Sequence, residues 1–243
     1  MSDKAIVLSS GGADSTTCVG IAVDKFGADN VVTVSANYGQ RHRRELDCAI
    51  NIAEYYKVQH YEIDLTTILQ YSDCSLLANS SNEIPEGSYV DQMKANDKGK
   101  VLTYVPYRNG LLLSSVAALA QSLFPDDDVD IYIGAHSDDS AGNAYADCSV
   151  EFIKAMKQAI NIGTYGQVFV VAPLNEMTKA QVIAKGLKLH VPYEMTWSCY
   201  NGRDKACGIR CATCIDRIAA FKSNKVIDPI EYECEINWTG CKP

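Results

Sequence analysis

The sequence predicts an α/β protein with a doubly wound, mainly parallel five-stranded sheet, followed by a small helical appendage. Through about residue 192, apolar runs of strand length alternate with longer stretches of helical period, which is typical of βαβ units. Beyond that point the period is lost and cysteines crowd the chain. With 243 residues, 47% of them hydrophobic, the chain can bury a full core. We therefore expect an α/β domain over residues 1–192 and a cysteine-rich appendage over residues 193–243.

The first half of the α/β domain has the pattern strand, helix, strand, helix, strand. Each strand is a short run rich in apolar or β-branched residues, and the second helix carries its apolar residues on one stripe. The predicted elements are, in order, a strand at Ala5–Leu8, a helix at Ser15–Lys25, a strand at Val31–Ala36, a helix at Arg44–Tyr56 and a strand at His60–Asp64.

The second half begins after a polar segment, residues 78–100, whose composition is typical of an irregular insertion. This insertion is either a lid over a site or a solvated loop without a role. The segment Leu111–Phe124 is apolar on nearly every side, which predicts a helix buried in the core. The remaining elements are a strand at Asp130–Gly134, a helix at Val150–Ile162, a strand at Phe169–Ala172 and a helix at Thr178–Lys188 with a threonine cap.

Charge and cysteine usage favour a cytoplasmic protein that acts on a small molecule. The chain has 22 Lys and Arg against 30 Asp and Glu, a formal net charge of −8, so a broad basic face for nucleic acid would oppose the overall balance. The first apolar run is too short for a signal peptide or a membrane span, and we expect no membrane association. Ten cysteines in a reducing compartment indicate metal binding or chemistry more than disulfides.

A glycine-containing loop, Ser10-Gly11-Gly12-Ala13-Asp14-Ser15, follows the first strand and opens a helix. Unpaired N–H groups and the helix dipole make such a position a site for phosphate. The hydroxyls of Ser10 and Ser15 add donors, and Asp14 is suited to orient the loop or to hold Mg²⁺ on the phosphates. Neither a Walker lysine nor the dinucleotide glycine spacing is present. The alternative is a simple turn followed by a helix cap.

Four cysteines, Cys199, Cys207, Cys211 and Cys214, lie within sixteen positions. Four thiolates suit a closed tetrahedral zinc site, although the middle pair has C-x3-C rather than the usual C-x2-C spacing. A structural Zn²⁺ would tie this segment to the domain and contribute folding free energy. A redox or sulfur-carrying role for Cys211 and Cys214 is the alternative.

The loop resembles the Ser-Gly-Gly-x-Asp-Ser signature of the PP-loop ATP pyrophosphatases. That resemblance implies an adenine nucleotide alpha hydrolase-like fold, cleavage of ATP between its α and β phosphates, and transfer of AMP to a carbonyl oxygen. Over nearly the whole chain, the sequence resembles one PP-loop family, the 7-cyano-7-deazaguanine synthases of the queuosine pathway. The matching stretches are Leu8–Cys18, Tyr38–Glu45, Val105–Asn109, Asp147-Cys148 with Glu151-Phe152, Trp197–Cys214 and Asp228–Tyr232.

This resemblance implies that ATP, ammonia and 7-carboxy-7-deazaguanine are converted to the nitrile. Adenylation turns a poor electrophile into one with a good leaving group, ammonia displaces AMP, and a second adenylation on the amide oxygen allows the nitrile to form. The reaction is mainly positioning and charge neutralisation. The implied cofactors are ATP, Mg²⁺ and Zn²⁺, and the family implies a homodimer without stably bound nucleic acid.

Carried onto this sequence, the family motifs imply a two-part site. The catalytic candidates are Ser10, Asp14, Ser15 and Arg108, and Asp147 is a deazapurine candidate. His136 and Asp138 are further deazapurine candidates because they follow a predicted strand in a segment that ends in an acidic pair, which suits purine N–H groups or Mg²⁺; the alternative there is a solvated turn. Arg43 and Arg44 belong either to the phosphate site or to a solvated helix start. The implied nucleotide site consists of Leu8, Ser9, Ser10, Gly11, Gly12, Ala13, Asp14, Ser15, Thr16, Thr17, Cys18, Tyr38, Gln40, Arg41, Arg108, Asn109 and Gly134.

The sequence departs from the family in one motif. The usual Tyr-Pro-Asp-Cys-Arg is Tyr145-Ala146-Asp147-Cys148-Ser149 here, so a serine stands where the family has an arginine.

Two other functions would use the same glycine loop and cysteine cluster. A tRNA-thiolating PP-loop enzyme would use the cysteines to deliver sulfur and would need a basic platform. A zinc-stabilised module would bind ATP without turning it over.

Overall fold

The computed structural model describes residues 2–94, 101–140, 145–201 and 204–243. Within them, five parallel strands form one sheet in the order β3-β2-β1-β4-β5, which confirms the predicted fold class. The observed strand bounds differ from the predicted strand bounds by at most two residues. The strands are β1 (Lys4–Leu8), β2 (Val31–Asn37), β3 (Gln59–Asp64), β4 (Val129–Tyr132) and β5 (Val168–Val171).

The helices connect these strands on both faces of the sheet. The largest difference from the sequence prediction is at the fifth helix, which begins three residues earlier than predicted. The α-helices of the described segments are α1 (Ala13–Phe26), α2 (Arg44–Tyr56), α3 (Thr66–Leu69), α4 (Tyr89–Lys94), α5 (Arg108–Leu123), α6 (Ser137–Ser140), α7 (Val150–Gly163), α8 (Lys179–Lys188) and α9 (Ala212–Ser223). Among them, no helix has both the length and the apolar character that a membrane span needs.

The central strand β1 is buried from Ala5 to Leu8 because helices cover both of its faces. Its alternating side chains point to opposite faces, and Ile6 and Val7 therefore lie in two different core layers. β1 pairs with β2 on one side and with β4 on the other, so the direction of winding reverses between β1 and β4. In open parallel sheets, ligands bind beyond the carboxyl ends of the strands at this reversal.

Helix α5 is amphipathic rather than buried all round, contrary to the sequence prediction. Leu113 and Val116 face the core, whereas Ser114, Ala118 and Ser122 are exposed. The apolar composition misled the prediction because the three exposed positions carry small residues that are compatible with either environment.

The C-terminal segment packs against the domain through apolar contacts, and a buried ion pair stabilises the segment internally. Helix α9 packs against α8, and Phe221 lies in the shared core. Arg217 is fully buried, and its guanidinium donates to both carboxylate oxygens of Asp228 at 2.6 and 2.9 Å. It also donates to the Thr196 hydroxyl at 2.7 Å and to the Tyr193 carbonyl at 3.1 Å. The guanidinium thus joins α9 to the stretch that leads into the cysteine cluster.

We expect Asp228→Asn to lower the free energy of unfolding by about 3 kcal/mol, because it leaves the buried Arg217 charge without its counter-ion. Denaturant titration followed by far-UV circular dichroism measures this loss. Glu235→Gln, an exposed neutralisation in the same segment, serves as the control. Equal stability of the two variants would show that the pair contributes nothing.

The described part of the insertion, residues 78–94, contacts the C-terminal segment. Gly87 donates its N–H to the Arg210 carbonyl at 2.9 Å, and the hydroxyl of Tyr89 lies 3.0 Å from that of Tyr200. The rest of the predicted insertion, residues 95–100, lies outside the described residues. The lid remains a prediction.

Candidate active site

A cavity of about 220 Å³ lies beyond the carboxyl ends of β1, β2 and β4, where the winding reverses. It is bounded by the glycine loop, the N-terminus of α5 and the chain after β4 on one side, and by the C-terminal segment on the other. Twelve of the predicted site residues line it: Leu8, Ser9, Ser10, Gly12, Asp14, Ser15, Tyr38, Gln40, Arg108, Asn109, Gly134 and His136.

The glycine loop is shaped by close backbone approaches. Gly11 has φ +76°, and a Cβ there would lie 2.2 Å from the Glu45 carbonyl oxygen, so only glycine fits. A Cβ on Gly134 would lie 3.1 Å from the Ser15 nitrogen, so Gly134 lets the loop approach β4 closely. The Ser15 hydroxyl accepts from the Ser10 N–H at 3.1 Å. Together these contacts hold the start of α1 open toward the cavity, as phosphate binding requires.

Asp14 forms the charged centre of the cavity. Its carboxylate contacts the Lys179 ammonium, and the same oxygen lies 3.6 Å from His136 Nε2. Burial opposes ionisation of Asp14, but Lys179 and His136 outweigh it and hold the pKa of the carboxyl well below its ordinary value. Among the described residues, its other oxygen, Oδ1, is buried without a hydrogen-bond partner. An ionised carboxylate with a free oxygen is a ligand for a cation or a donor group.

Lys179 is the main site residue that the sequence analysis missed. It is the first residue of α8, which begins with a capping box formed by Thr178 and Gln181. The Asp138 carboxylate accepts from the Lys179 N–H at 2.7 Å, so Asp138 positions this helix terminus; it is exposed and does not line the cavity. The threonine cap was visible in the sequence, but nothing local linked Lys179 to Asp14, 165 positions away.

Arg108 and Asn109 enter the cavity from the N-terminus of α5. The Arg108 guanidinium lies 5.5 Å from the centre of the Tyr38 ring. The Asn109 N–H donates to the Asp147 carboxylate at 2.9 Å, and its side-chain amide donates to Cys148 Sγ at 3.2 Å. Asp147 is buried and lies outside the cavity lining, so it orients Asn109, which does line the cavity.

The remaining predicted residues lie around the cavity rather than in its wall. Thr17 is buried and shares a hydrogen bond of 2.8 Å with the Tyr193 hydroxyl. The Arg41 guanidinium donates to the Ser80 and Asn82 carbonyls at 2.9 and 2.7 Å, and so contacts the insertion. The residues that support the loop without lining the cavity are Gly11, Ala13, Thr16, Thr17 and Cys18.

The wall contributed by the C-terminal segment is aromatic. Trp197 and Tyr200 line the cavity, and the backbone N–H of Trp197 donates to the Gly11 carbonyl at 2.9 Å. The Arg44 guanidinium stacks on the Trp197 ring at 3.7 Å from its centre, which places Arg44 behind this wall. Sequence reasoning grouped both aromatic residues with the cysteines and did not predict that they face the glycine loop.

Glu45, another residue that the sequence analysis did not assign to the site, also lines the cavity. Burial raises the pKa of its carboxyl from 4.5 to about 7, and the Arg108 charge opposes that rise. The protonated carboxyl is therefore favoured in the folded state, and the folded protein loses stability relative to the unfolded chain as pH rises from 4.5 to 7.

We expect Glu45→Gln to stabilise the protein at pH 8 by on the order of 2 kcal/mol, because the amide removes a carboxylate that is costly to ionise there. At pH 4, where Glu45 is protonated in both states, the gain should vanish. Thermal unfolding of both proteins at the two pH values measures this difference. An equal change at both pH values would mean that the effect is not ionisation.

The four cysteines of the cluster converge in one buried group. Their sulfur atoms all lie within 4.8 Å of one another, and Cys199 and Cys211 Sγ are 4.0 Å apart. A single tetrahedral ion with metal–sulfur bonds of about 2.3 Å places its sulfurs about 3.8 Å apart. The N–H groups of Cys207 and Cys211 point at neighbouring sulfurs at 3.3 Å, an arrangement that stabilises thiolates. The residues fit one metal ion, and the C-x3-C spacing does not prevent it.

Comparison with known proteins identifies the family. A family model described as "Queuosine biosynthesis protein QueC" matches residues 4–225. The chain is 41% identical over 238 residues to 7-cyano-7-deazaguanine synthase from Marinomonas sp. (strain MWYL1), covering 96% of this chain and 100% of that relative. It is 41% identical over 235 residues to the synthase of the same name from Caldicellulosiruptor saccharolyticus, covering 97% of this chain and 98% of that relative.

Among solved structures, NMN synthetase from Francisella tularensis is similar at a TM-score of 0.49 and 14% identity, over 84% of this chain and 70% of that chain. Similarity at this level bears on neither the site nor the substrate. The sequence relatives match almost end to end and carry one name, which shows the family. The chain belongs to the QueC family of queuosine biosynthesis proteins.

Proposed function

We propose that the protein is an ATP-dependent ligase that converts 7-carboxy-7-deazaguanine and ammonia to 7-cyano-7-deazaguanine. The observation that carries the proposal is one cavity in which the signature loop, the Asp14–Lys179 pair and Arg108 meet an aromatic wall. The relatives named 7-cyano-7-deazaguanine synthase support the substrate and the product.

The loop side of the cavity suits the nucleotide. The open N-terminus of α1 and the Ser10 and Ser15 hydroxyls would bind the phosphates. Asp14 Oδ1 is free to hold Mg²⁺, and the Lys179 ammonium is close enough to turn from Asp14 to a phosphate oxygen. The Lys179 ammonium would thus supply the positive charge that the Walker lysine supplies in other phosphate loops.

The opposite side suits a flat heterocyclic acid. Trp197, Tyr200 and Tyr38 offer ring faces for stacking, and the Arg108 guanidinium offers a cation for a carboxylate. Attack of the carboxylate on the α-phosphorus breaks the bond to the β-phosphate and releases pyrophosphate. Ammonia then displaces AMP to give the amide, and a second adenylation on the amide oxygen followed by loss of AMP gives the nitrile.

We propose that the cysteine cluster holds Zn²⁺, which when bound supplies a structural cross-link. The cysteines are at most 2% exposed, so they are poorly placed to pass sulfur to a tRNA. Their metal-binding geometry favours the synthase over a thiolating enzyme. We also propose that the protein works in the cytoplasm as a homodimer; the ten cysteines, none of which forms a disulfide in the described segments, suit a reducing compartment.

The experiment is release of AMP and pyrophosphate in the presence of 7-carboxy-7-deazaguanine and ammonium, with the product identified by mass. We expect both reagents to stimulate release and the product mass to be that of the nitrile. Release that the acid does not stimulate would overturn the substrate assignment, and bound ATP that is never cleaved would indicate a binding module. A product mass of the amide would mean that the second adenylation does not occur.

A further inference from the structure

We propose that Glu45 binds the ammonium ion in the cavity and accepts its proton, so that ammonia is released beside the activated acid. This inference rests on the proposed function, because it concerns the nitrogen donor of that reaction. It assigns a binding and catalytic role to a side chain that the phosphate-binding and acid-binding groups do not require.

Glu45 lies close to the reacting end of the nucleotide site. It is the second residue of α2, and its carbonyl oxygen packs directly against Gly11 of the glycine loop. Its side chain lines the same cavity as Ser10, Asp14 and Arg108. A molecule bound at the Glu45 carboxylate is therefore beside the place where the α-phosphate and the acid would meet.

The carboxylate is available to a ligand. Within the described segments, no side chain or backbone group makes a hydrogen bond or an ion pair with it, although it is only partly exposed. Arg108 acts on it through longer-range attraction alone. A carboxylate that enters a cavity loses hydrogen bonds from water, and here no protein donor replaces them. Such a carboxylate favours a small cation that brings its own N–H donors. The rings of Tyr38, Trp197 and Tyr200 in the same wall suit a cation as well.

The chemistry of the nitrogen donor requires such a group. Ammonium has no lone pair, so it must lose one proton before its nitrogen can attack the adenylated carboxyl carbon. The Glu45 carboxylate takes that proton, the nitrogen forms the C–N bond, and the C–O bond to AMP breaks with its electrons. The nitrogen loses a second proton to the phosphate of the departing AMP as the amide forms.

A base is most effective when its pKa lies near the working pH. Burial raises the pKa of Glu45 to about 7, closer to that of ammonium than an exposed glutamate would be. The groups that face Glu45 are the Tyr38 phenol just after β2, the Arg108 guanidinium on α5 and the Cys48 thiol on α2.

The test compares Glu45→Gln with wild type using two nitrogen nucleophiles. With ammonium at saturating acid, we expect kcat/KM for ammonium to fall about 100-fold, the lower range of general-base effects. With hydroxylamine, which is largely unprotonated at neutral pH, the loss should be less than about 5-fold. Glu45→Asp, which keeps the carboxylate, should recover part of the ammonium activity.

Two further readouts separate the possible failures. Acid-dependent exchange of pyrophosphate into ATP, without any nitrogen donor, should be unchanged in Glu45→Gln, which shows that the variant is folded and adenylates the acid. Equal losses with ammonium and hydroxylamine, or a raised KM for the acid alone, would overturn the inference and assign Glu45 to recognition of the heterocycle. Absence of ammonium-dependent turnover in the wild type would instead overturn the proposed function.

Discussion

Replacing Cys214 with serine is expected to remove the bound metal and to lower the free energy of unfolding by more than about 5 kcal/mol. A structural zinc site contributes about 10–16 kcal/mol of apparent binding free energy in small domains, and three ligands hold the ion far more weakly than four. Cys214 is fully buried and is the third residue of α9, so loss of the ion also releases the start of that helix.

Metal content by mass spectrometry of the purified protein and denaturant titration together check this prediction. Cys234→Ser is the matched control, since Cys234 lies in the same C-terminal segment but is exposed and outside the cluster. The control should keep one metal ion per chain and wild-type stability. A Cys214→Ser protein that keeps its metal and stability but loses turnover would contradict the structural role and favour direct chemistry by the cysteines.

The metal site should also affect the cavity. Trp197 lies two residues before the first cysteine of the cluster, and its backbone N–H donates to the Gly11 carbonyl. The intervening residue, Ser198, lines the cavity. The cluster therefore fixes the position of the aromatic wall against the phosphate loop. A chelated protein would lose heterocycle binding before it loses the α/β core, because the core layers around β1 contain none of the four cysteines.

The sequence predicted the parts of the fold that local patterns encode. Strands β1 and β4 are short, mainly apolar runs, so their length and residue types indicate strands, whereas the apolar stripe of α2 has the helical period. Helix α5 was predicted late because its first turn, Arg108-Asn109-Gly110, is polar and contains a glycine. That glycine is required by packing: a Cβ on Gly110 would lie 2.3 Å from the Tyr107 ring.

In the candidate site as well, the sequence predicted the residues that form a local motif and missed those that only the fold brings together. The loop from Ser10 to Ser15 was found because consecutive residues carry its function. Lys179 and Glu45 were missed because each becomes important only when the fold brings it to the cavity. Lys179 is an ordinary helix-start lysine until it meets Asp14, and Glu45 is an ordinary acidic residue in the first turn of a helix until burial raises its pKa. Tertiary contacts of this kind leave no local pattern.

Asp14→Ala is expected to lower kcat at least 10,000-fold, which corresponds to about 5 kcal/mol of transition-state stabilisation. Two effects combine. The variant removes the free carboxylate oxygen that would hold Mg²⁺ on the phosphates, and it leaves the Lys179 ammonium, only 12% exposed, without its counter-ion. Steady-state release of pyrophosphate measures the loss.

Asp138→Asn is the matched control for this prediction. Asp138 is another acid beside Lys179, but its carboxylate accepts from the backbone N–H of Lys179 and from the Ser137 hydroxyl, and it is exposed. We expect a loss of less than about 10-fold, since a neutral amide oxygen still accepts the Lys179 hydrogen bond. Both variants should retain wild-type metal content in the cysteine cluster, which separates loss of chemistry from loss of fold. Turnover of Asp14→Ala within 10-fold of wild type would remove Asp14 from the catalytic residues, and the phosphate loop would then act through its backbone and Lys179 alone.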